Sequence, residues 1–272
     1  MTEKSETQRP STPVYTSRLQ KGGALIEDMR AIVRNWSDEQ TAHHLIQTLI
    51  KDNILGKETK TRSTDLYRRA FSHRFIKGDP PNAWQIIRPL EDNELAIEII
   101  KPIYYWITAR SDPLMYDFVT DEIYSRSKGY SLDVKIDETA QWIKSSLEQN
   151  HQQVWTETVT LKVARGLLAA LRDFGILEGA TKKKIAPIYL PLESFAYIAY
   201  ALNSLGFHGG RLTNHKDWQL FLFSPTVAER MFLEAHQNGL LHYEAAGNIY
   251  RIEFPANSYK EMTDVITARS FG

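Results

Sequence analysis

Twice in its C-terminal part the chain runs a helical period into a glycine and then into a turn between short apolar runs. This pattern limits the folds open to it more than any other feature. Leu161–Phe174 has helical spacing, stops at Gly175, and continues through Ile176-Leu177-Glu178-Gly179 to Lys184-Ile185-Ala186-Pro187-Ile188-Tyr189-Leu190-Pro191. Pro225–Asn238 stops at Gly239 and continues through Leu240-Leu241-His242-Tyr243 to Ile249-Tyr250-Arg251-Ile252-Glu253-Phe254-Pro255. Glycine just past the last helical residue accommodates the left-handed backbone that ends a helix. Alternating residues about a turn then make an antiparallel hairpin. Helix followed by hairpin is the C-terminal half of a winged helix, with the hairpin as the wing. The expected fold class is mainly α with short β-hairpins, in helix-turn-helix-like and winged-helix-like units joined by a helical middle region.

Upstream the apolar period is helical. Leu25, Met29, Ile32, Val33 and Trp36 mark a first helix, and Ser37 or Asp38 is placed to cap a second with Ala42, Leu45, Ile46, Leu49 and Ile50 on its buried stripe. A third, starting near Ser63 or Thr64, buries Leu66, Tyr67, Ala70, Phe71 and Phe75 and is stopped by Gly78-Asp79-Pro80-Pro81. Residues 90–150 read as wholly helical, with Asp112-Pro113 as a cap followed by proline at the first helical position and Asp137 as a further cap. The polar, proline-containing first 16 residues read as a disordered tail. The expected organisation is therefore that tail over 1–16, a helix-turn-helix-like region over 17–90, a helical middle over 91–150, and two helix-plus-hairpin units over 151–272.

Within the second of these regions lies a basic island, residues 57–77, with seven cations against two anions in a chain of zero formal net charge. Overall neutrality argues against a nucleic-acid coat protein. It allows a local basic face, because phosphate attraction acts over about a Debye length, roughly 8–10 Å. Clustered cations neutralise phosphates and release condensed counterions. On this reading Arg62, Arg68, Arg69, His73 and Arg74 lie along a DNA groove or its phosphate edges, and Lys57, Lys60 and Lys77 contact the backbone. Thr59, Thr61, Ser63 and Thr64 suit phosphate contacts at a helix start. Lys182, Lys183 and Lys184 sit at the expected tip of the first hairpin, where a wing reaches a phosphate backbone or the minor groove. The opposing interpretation is a solvated helix, or one paired with Glu91-Asp92-Asn93-Glu94.

Other chemistries find little support. Without cysteine there is no disulfide, thiolate nucleophile or cysteine-built metal site. No HExxH or GxSxG occurs, and Lys21-Gly22-Gly23 lacks the spacing of a phosphate loop. The most apolar stretch, Ile185–Leu202, is broken by Pro187, Pro191 and Glu193, short of the about 20 residues a membrane span needs. With 42% hydrophobic and 24% charged residues, a cytoplasmic globular protein with a real core is expected, non-enzymatic and without metal or cofactor.

The stretch SRLQKGGALIEDMRAIVRNW, followed by NILGKETKTRSTDLYRRAFSHRFI, resembles the BrxA family of BREX bacteriophage-exclusion systems. The matching positions are Lys21, Gly22, Gly23, Glu27, Arg30 and Trp36, then Asn53, Leu55, Gly56, Lys57 and Arg62. The resemblance implies a mostly helical accessory protein that works beside a methyltransferase, a phosphatase-like protein and an ATPase. It also implies binding of double-stranded DNA through a winged-helix element, and it brings no catalytic residues. The expected function is a DNA-binding accessory protein of phage defence with low sequence specificity and salt-sensitive phosphate contacts. A protein–protein scaffold and an RNA-binding helical module are the alternatives.

Overall fold

Residues 13–270 are described by a computed structural model, apart from 22, 38, 40, 57–59, 130–131 and 248. A single 3-10 turn, Ser17–Lys21, precedes α1 (Ile26–Asn35). Helix α2 (Ala42–Lys51) is capped by Thr41, whose hydroxyl accepts from the His44 N–H at 3.2 Å. The cap therefore falls later than Ser37, and Asp38 lies outside the described residues. Helix α3 (Lys60–Leu66) starts ahead of Ser63 and passes into a π-helical segment, Tyr67–Ile76. Its buried aromatics, Tyr67, Phe71 and Phe75, are spaced by four throughout. Such a step suits a winding wider than 3.6 residues per turn. They form a ladder with Trp36, just past the end of α1, and Tyr104, with successive ring centroids 5.5–5.9 Å apart.

Helices α4 (Trp84–Asp92), α5 (Ile97–Ser111) and α6 (Pro113–Asp117) follow, the last capped by Asp112, which accepts from the Met115 N–H at 3.1 Å. A second π-helical segment, Phe118–Ile123, leads into α7 (Tyr124–Ser127). The middle region is not wholly helical: β1 (Asp133–Val134) interrupts it before α8 (Ile136–Gln149). Two residues are too few to show a strand period, and their partner is distant in sequence. Asp137 does not cap α8; it lies in the first turn, where a carboxylate favours the helix dipole.

Helix α9 (Glu157–Phe174) ends at Gly175, whose φ of 87° is left-handed, and β2 (Leu177–Glu178) turns back into β3 (Lys183–Ile185). The three strands form an antiparallel sheet in the order β1-β3-β2, with Asp133 opposite Lys184 and Leu177 opposite Ile185. The ladder stops short of the expected strand to Leu190, because Pro187 and Pro191 carry no donor.

The second unit comprises α10 (Leu192–Ser204), α11 (Gly210–Thr213), a 3-10 turn (Lys216–Phe221) and α12 (Pro225–Gln237). The hairpin β4 (His242–Ala246) and β5 (Ile249–Glu253) and the helix α13 (Tyr259–Ser270) complete it. Stacked and edge contacts among Phe195, Trp218, Phe232 and Tyr243 hold α10, α12 and β4 together. Each such aromatic pair adds about 0.5–1.5 kcal/mol beyond area burial.

Two buried charges tie the helices. Glu91 on α4 accepts from Arg30 and Arg34 of α1, each at 2.8 Å, and from the Tyr104 hydroxyl at 3.1 Å. Asp217, 1% exposed, accepts from Trp106 Nε1 at 2.6 Å, Arg110 at 2.8 Å and the Tyr116 hydroxyl at 2.8 Å. Burial alone would raise the Asp217 carboxyl. Arg110, His215 and the hydrogen bonds from Arg110 and Tyr116 outweigh it and hold the group far below the usual carboxylate range. Ahead of the first turn, Tyr15 is buried rather than part of a tail: its hydroxyl donates to Asp117 at 2.8 Å and its N–H to Gln152 at 3.0 Å.

Candidate nucleic-acid interface

The basic island does not form one face. Arg62 and Arg69 line a cavity beside α1, whereas Arg68 faces the groove next to His43 and His44 of α2. Ser63 and Arg74 are withdrawn from the surface, at 3% and 7% exposure. The Arg74 guanidinium donates to the carbonyls of Ala24 at 2.8 Å and Gly23 at 3.3 Å, so it joins the start of α1 to the π-helical segment instead of facing a groove. Burial pulls its pKa down to about 10, opposed by nearby Asp112. His73 stands 3.2 Å from the Arg18 guanidinium; burial, Arg18 and Arg74 push it down to about 4, so it is neutral at pH 7. Arg69 is paired with Asp65 at 3.2 Å. Lys77 is exposed, Lys60 opens α3, and Lys57 lies outside the described residues. Two members of the acidic run at 91–94 pair elsewhere: Glu91 takes Arg30 and Arg34, and Asp92 takes Arg88 at 2.6 Å.

The lysine triplet is also divided. The turn of the first hairpin holds Lys182, which is exposed, while Lys183 and Lys184 belong to β3. Lys183 Nζ donates to the Ala180 carbonyl at 2.9 Å, and Lys184 pairs with Glu178 across the strands at 2.9 Å.

Helix α9 supplies cations that sequence reading passed over. Thr158, Lys162, Arg165 and Arg172 are exposed at steps of four, three and seven, which places them on one face. Its other faces bury Val163, Leu167, Leu168 and Leu171. Arg172 pairs with Asp173 at 2.7 Å; no ion pair with a described residue engages Lys162, Arg165 or Lys182. Signals existed in the helical period itself, since the apolar positions fix which face remains. Single cations at every third or fourth position never form a run, so counting charges along the chain misses them.

The turn Ser17–Lys21 lies between these two basic regions. It packs along α9, with the Leu19 carbonyl so close to Gly166 that a Cβ there would collide with its oxygen. On its other side Arg18 meets His73 of the island. Among the described residues, no group of three or more His, Asp or Glu is placed to hold a metal ion, and no helix is long and apolar enough to cross a membrane.

These elements define a mainly helical protein with two helix-and-hairpin units, the first backed by a third strand and bearing a basic helix face. The chain belongs to the BrxA family, whose family model matches residues 13–201. That membership bears out the sequence resemblance and supports a part in BREX phage defence. No curated protein matches the chain. Among solved structures, an uncharacterized protein from Magnetospirillum magneticum is similar at 15% identity and a TM-score of 0.57, covering 71% of this chain and 96% of the other. The structure of magnesium ion-bound SspB is similar at 12% identity and a TM-score of 0.52, covering 94% and 90%. At such identity these two likenesses concern the fold alone.

Proposed function

We propose that this chain is a non-enzymatic, double-stranded-DNA-binding member of a cytoplasmic BREX defence assembly, working beside its methyltransferase, phosphatase-like and ATPase components. The observation that carries the reading is the exposed row Thr158, Lys162, Arg165 and Arg172 on α9, the helix directly before the first hairpin. Strand β1, helices α8 and α9 and the hairpin β2–β3 follow in the order of a winged helix, in which α9 takes the place of the recognition helix. A major groove about 12 Å wide admits one helix. Lys182 in the turn extends the positive surface as the wing. The row holds no glutamine or asparagine to read adenine edges, and its widely spaced cations serve phosphates as well as guanine edges, so we expect phosphate contact to dominate and sequence preference to be weak.

A fluorescence-anisotropy titration of the full chain against duplex DNA, at about 50 and 200 mM salt, tests this. Affinity that does not change between the two excludes a multi-phosphate footprint. Structured RNA competing as well as duplex DNA would favour the RNA-binding reading, because A-form grooves present different surfaces.

The scaffold reading draws on the second helix-and-hairpin unit. Leu233 on α12 is 46% exposed, beside Glu229, Arg230, Tyr243 and Ala245, and Ile249 on β5 is 76% exposed. Exposed large apolar side chains of this kind suit a protein partner rather than phosphate. Co-purification of defence components that survives nuclease treatment, with no DNA shift, would favour it over DNA binding.

A further inference from the structure

The cavity beside the island has a construction of its own. It measures about 340 Å³ and opens between the Ser17–Lys21 turn, α1, α3 and the π-helical segment. That volume falls at the small end of the roughly 300–1,000 Å³ range of small-molecule sites. Arg18, Arg62, Arg69 and Arg74 line it, together with the neutral His73. Leu19, Leu25, Leu66 and Ala70 supply apolar wall. Among the described residues the carboxylates that face the same space, Asp28, Asp65 and Asp112, are one fewer than the guanidinium groups, so the described lining carries a net positive charge.

Arg74 contributes to that charge. It is a buried cation that donates to backbone carbonyls, with the buried Asp112 carboxylate nearby offsetting part of its charge. Arg18 acts on the same carboxylate, so two guanidinium groups share one buried anion, and an anion in the cavity would add to the compensation. Arg69 is available at low cost, because its pairing with Asp65 is between two half-exposed groups and such pairs are weak. Guanidinium groups bind phosphate oxygens by paired, planar hydrogen bonds. The apolar wall gives the rest of the ligand something to lie against.

We propose that this cavity binds a phosphate monoester carried on an apolar or aromatic body of about mononucleotide size. Arg18 and Arg69 hold the phosphate from two elements, and Leu19, Leu25, Leu66 and Ala70 receive the body. Two sources supply that chemistry: a free mononucleotide, and the terminal nucleotide of a DNA strand bearing a 5′-phosphate. The site stands apart from the α9 face and does not rest on DNA binding there.

Isothermal titration of the full chain with AMP and with inorganic phosphate tests the site. The expected result is saturable AMP binding, at least about tenfold tighter than phosphate, since phosphate alone makes no use of the wall. Arg18→Gln and Arg69→Gln should each weaken AMP about 10- to 100-fold, the range for one lost hydrogen bond to a charged group. Thr61→Glu, which adds a carboxylate at the exposed lining without removing a contact, should weaken it similarly. Lys162→Glu with Arg165→Glu should leave AMP affinity unchanged, which separates this site from the DNA reading. In that same double-variant background, a duplex with 5′-phosphate ends compared with one having 5′-hydroxyl ends identifies the strand-end source. Binding of the phosphorylated duplex without AMP binding assigns the site to strand ends; AMP binding assigns it to free nucleotides. Absence of saturable binding by AMP and by phosphorylated ends up to about 10 mM would overturn the proposal. So would binding indifferent to Arg18→Gln, Arg69→Gln and Thr61→Glu.

Discussion

Reversing two charges on α9 is the most direct test of how this chain meets DNA. Lys162, Arg165 and Lys182 engage no described carboxylate, and Arg172 is held by Asp173. About three to four phosphate contacts are therefore available. Each contributes about −0.9 to the slope of log affinity against log salt, giving roughly −2.7 to −3.6. Raising salt from about 50 to 200 mM should then weaken binding about 40- to 150-fold. In Lys162→Glu/Arg165→Glu two of the contacts disappear, and the slope should fall to about −0.9 to −1.8. Both residues are exposed, so the fold should be unaffected, with stability within about 0.5 kcal/mol of the parent. Anisotropy titrations across four or five salt concentrations, with a urea melt as folding control, give slope and stability together. A folded double variant that keeps the parental slope would refute the assignment to α9. If Arg68→Glu/Arg69→Glu instead removes more of the slope, the island is the main contact.

Asp217→Asn leaves Arg110, 5% exposed, with Asp79 as its remaining carboxylate, and should cost about 3–5 kcal/mol in urea melts at pH 7. The native Asp217 carboxyl lies far below its unfolded value near 3.9, so its stabilisation is complete above about pH 5, starts to decline below about pH 4 and is lost only as pH falls through the lower folded value. The stability gap between parent and Asp217→Asn should therefore narrow from pH 7 to pH 3 by about 1 kcal/mol without closing, since the native carboxyl is still ionised at pH 3; a constant gap would mean that the carboxylate charge is not what stabilises. Gly166→Ala forces a Cβ into the Leu19 carbonyl and should cost about 1–3 kcal/mol while loosening the Ser17–Lys21 turn. Faster tryptic cleavage at Arg18 would report the loosening, and unchanged cleavage with unchanged stability would contradict the packing argument.

Much of the local structure was legible because it depends on neighbours in sequence. Asp112-Pro113 opens α6 as its residue types require, both hairpins follow their glycines, and the proline-rich stop after residue 77 ends the island's helix. What escaped depends on distant partners. Strand β1 exists because Val134 meets Lys183, and Arg74 is buried because the Gly23 and Ala24 carbonyls turn toward it. Charge counting placed Arg74 and Ser63 on a surface that tertiary packing covers. It overlooked Lys162 and Arg165, whose exposure follows from the opposite face of α9 being buried.

Asp217 has a consequence for how the molecule comes apart. It belongs to the 3-10 turn of the second helix-and-hairpin unit, yet its donors come from α5 and α6. Parting those elements by even a few ångströms strands a carboxylate and a guanidinium in an apolar interior before water reaches them. Partial separation is therefore higher in free energy than either the closed or the fully hydrated state. The second unit is therefore coupled to α5 and α6 through one buried carboxylate, and its separation from them should carry that cost ahead of any melting of its own elements.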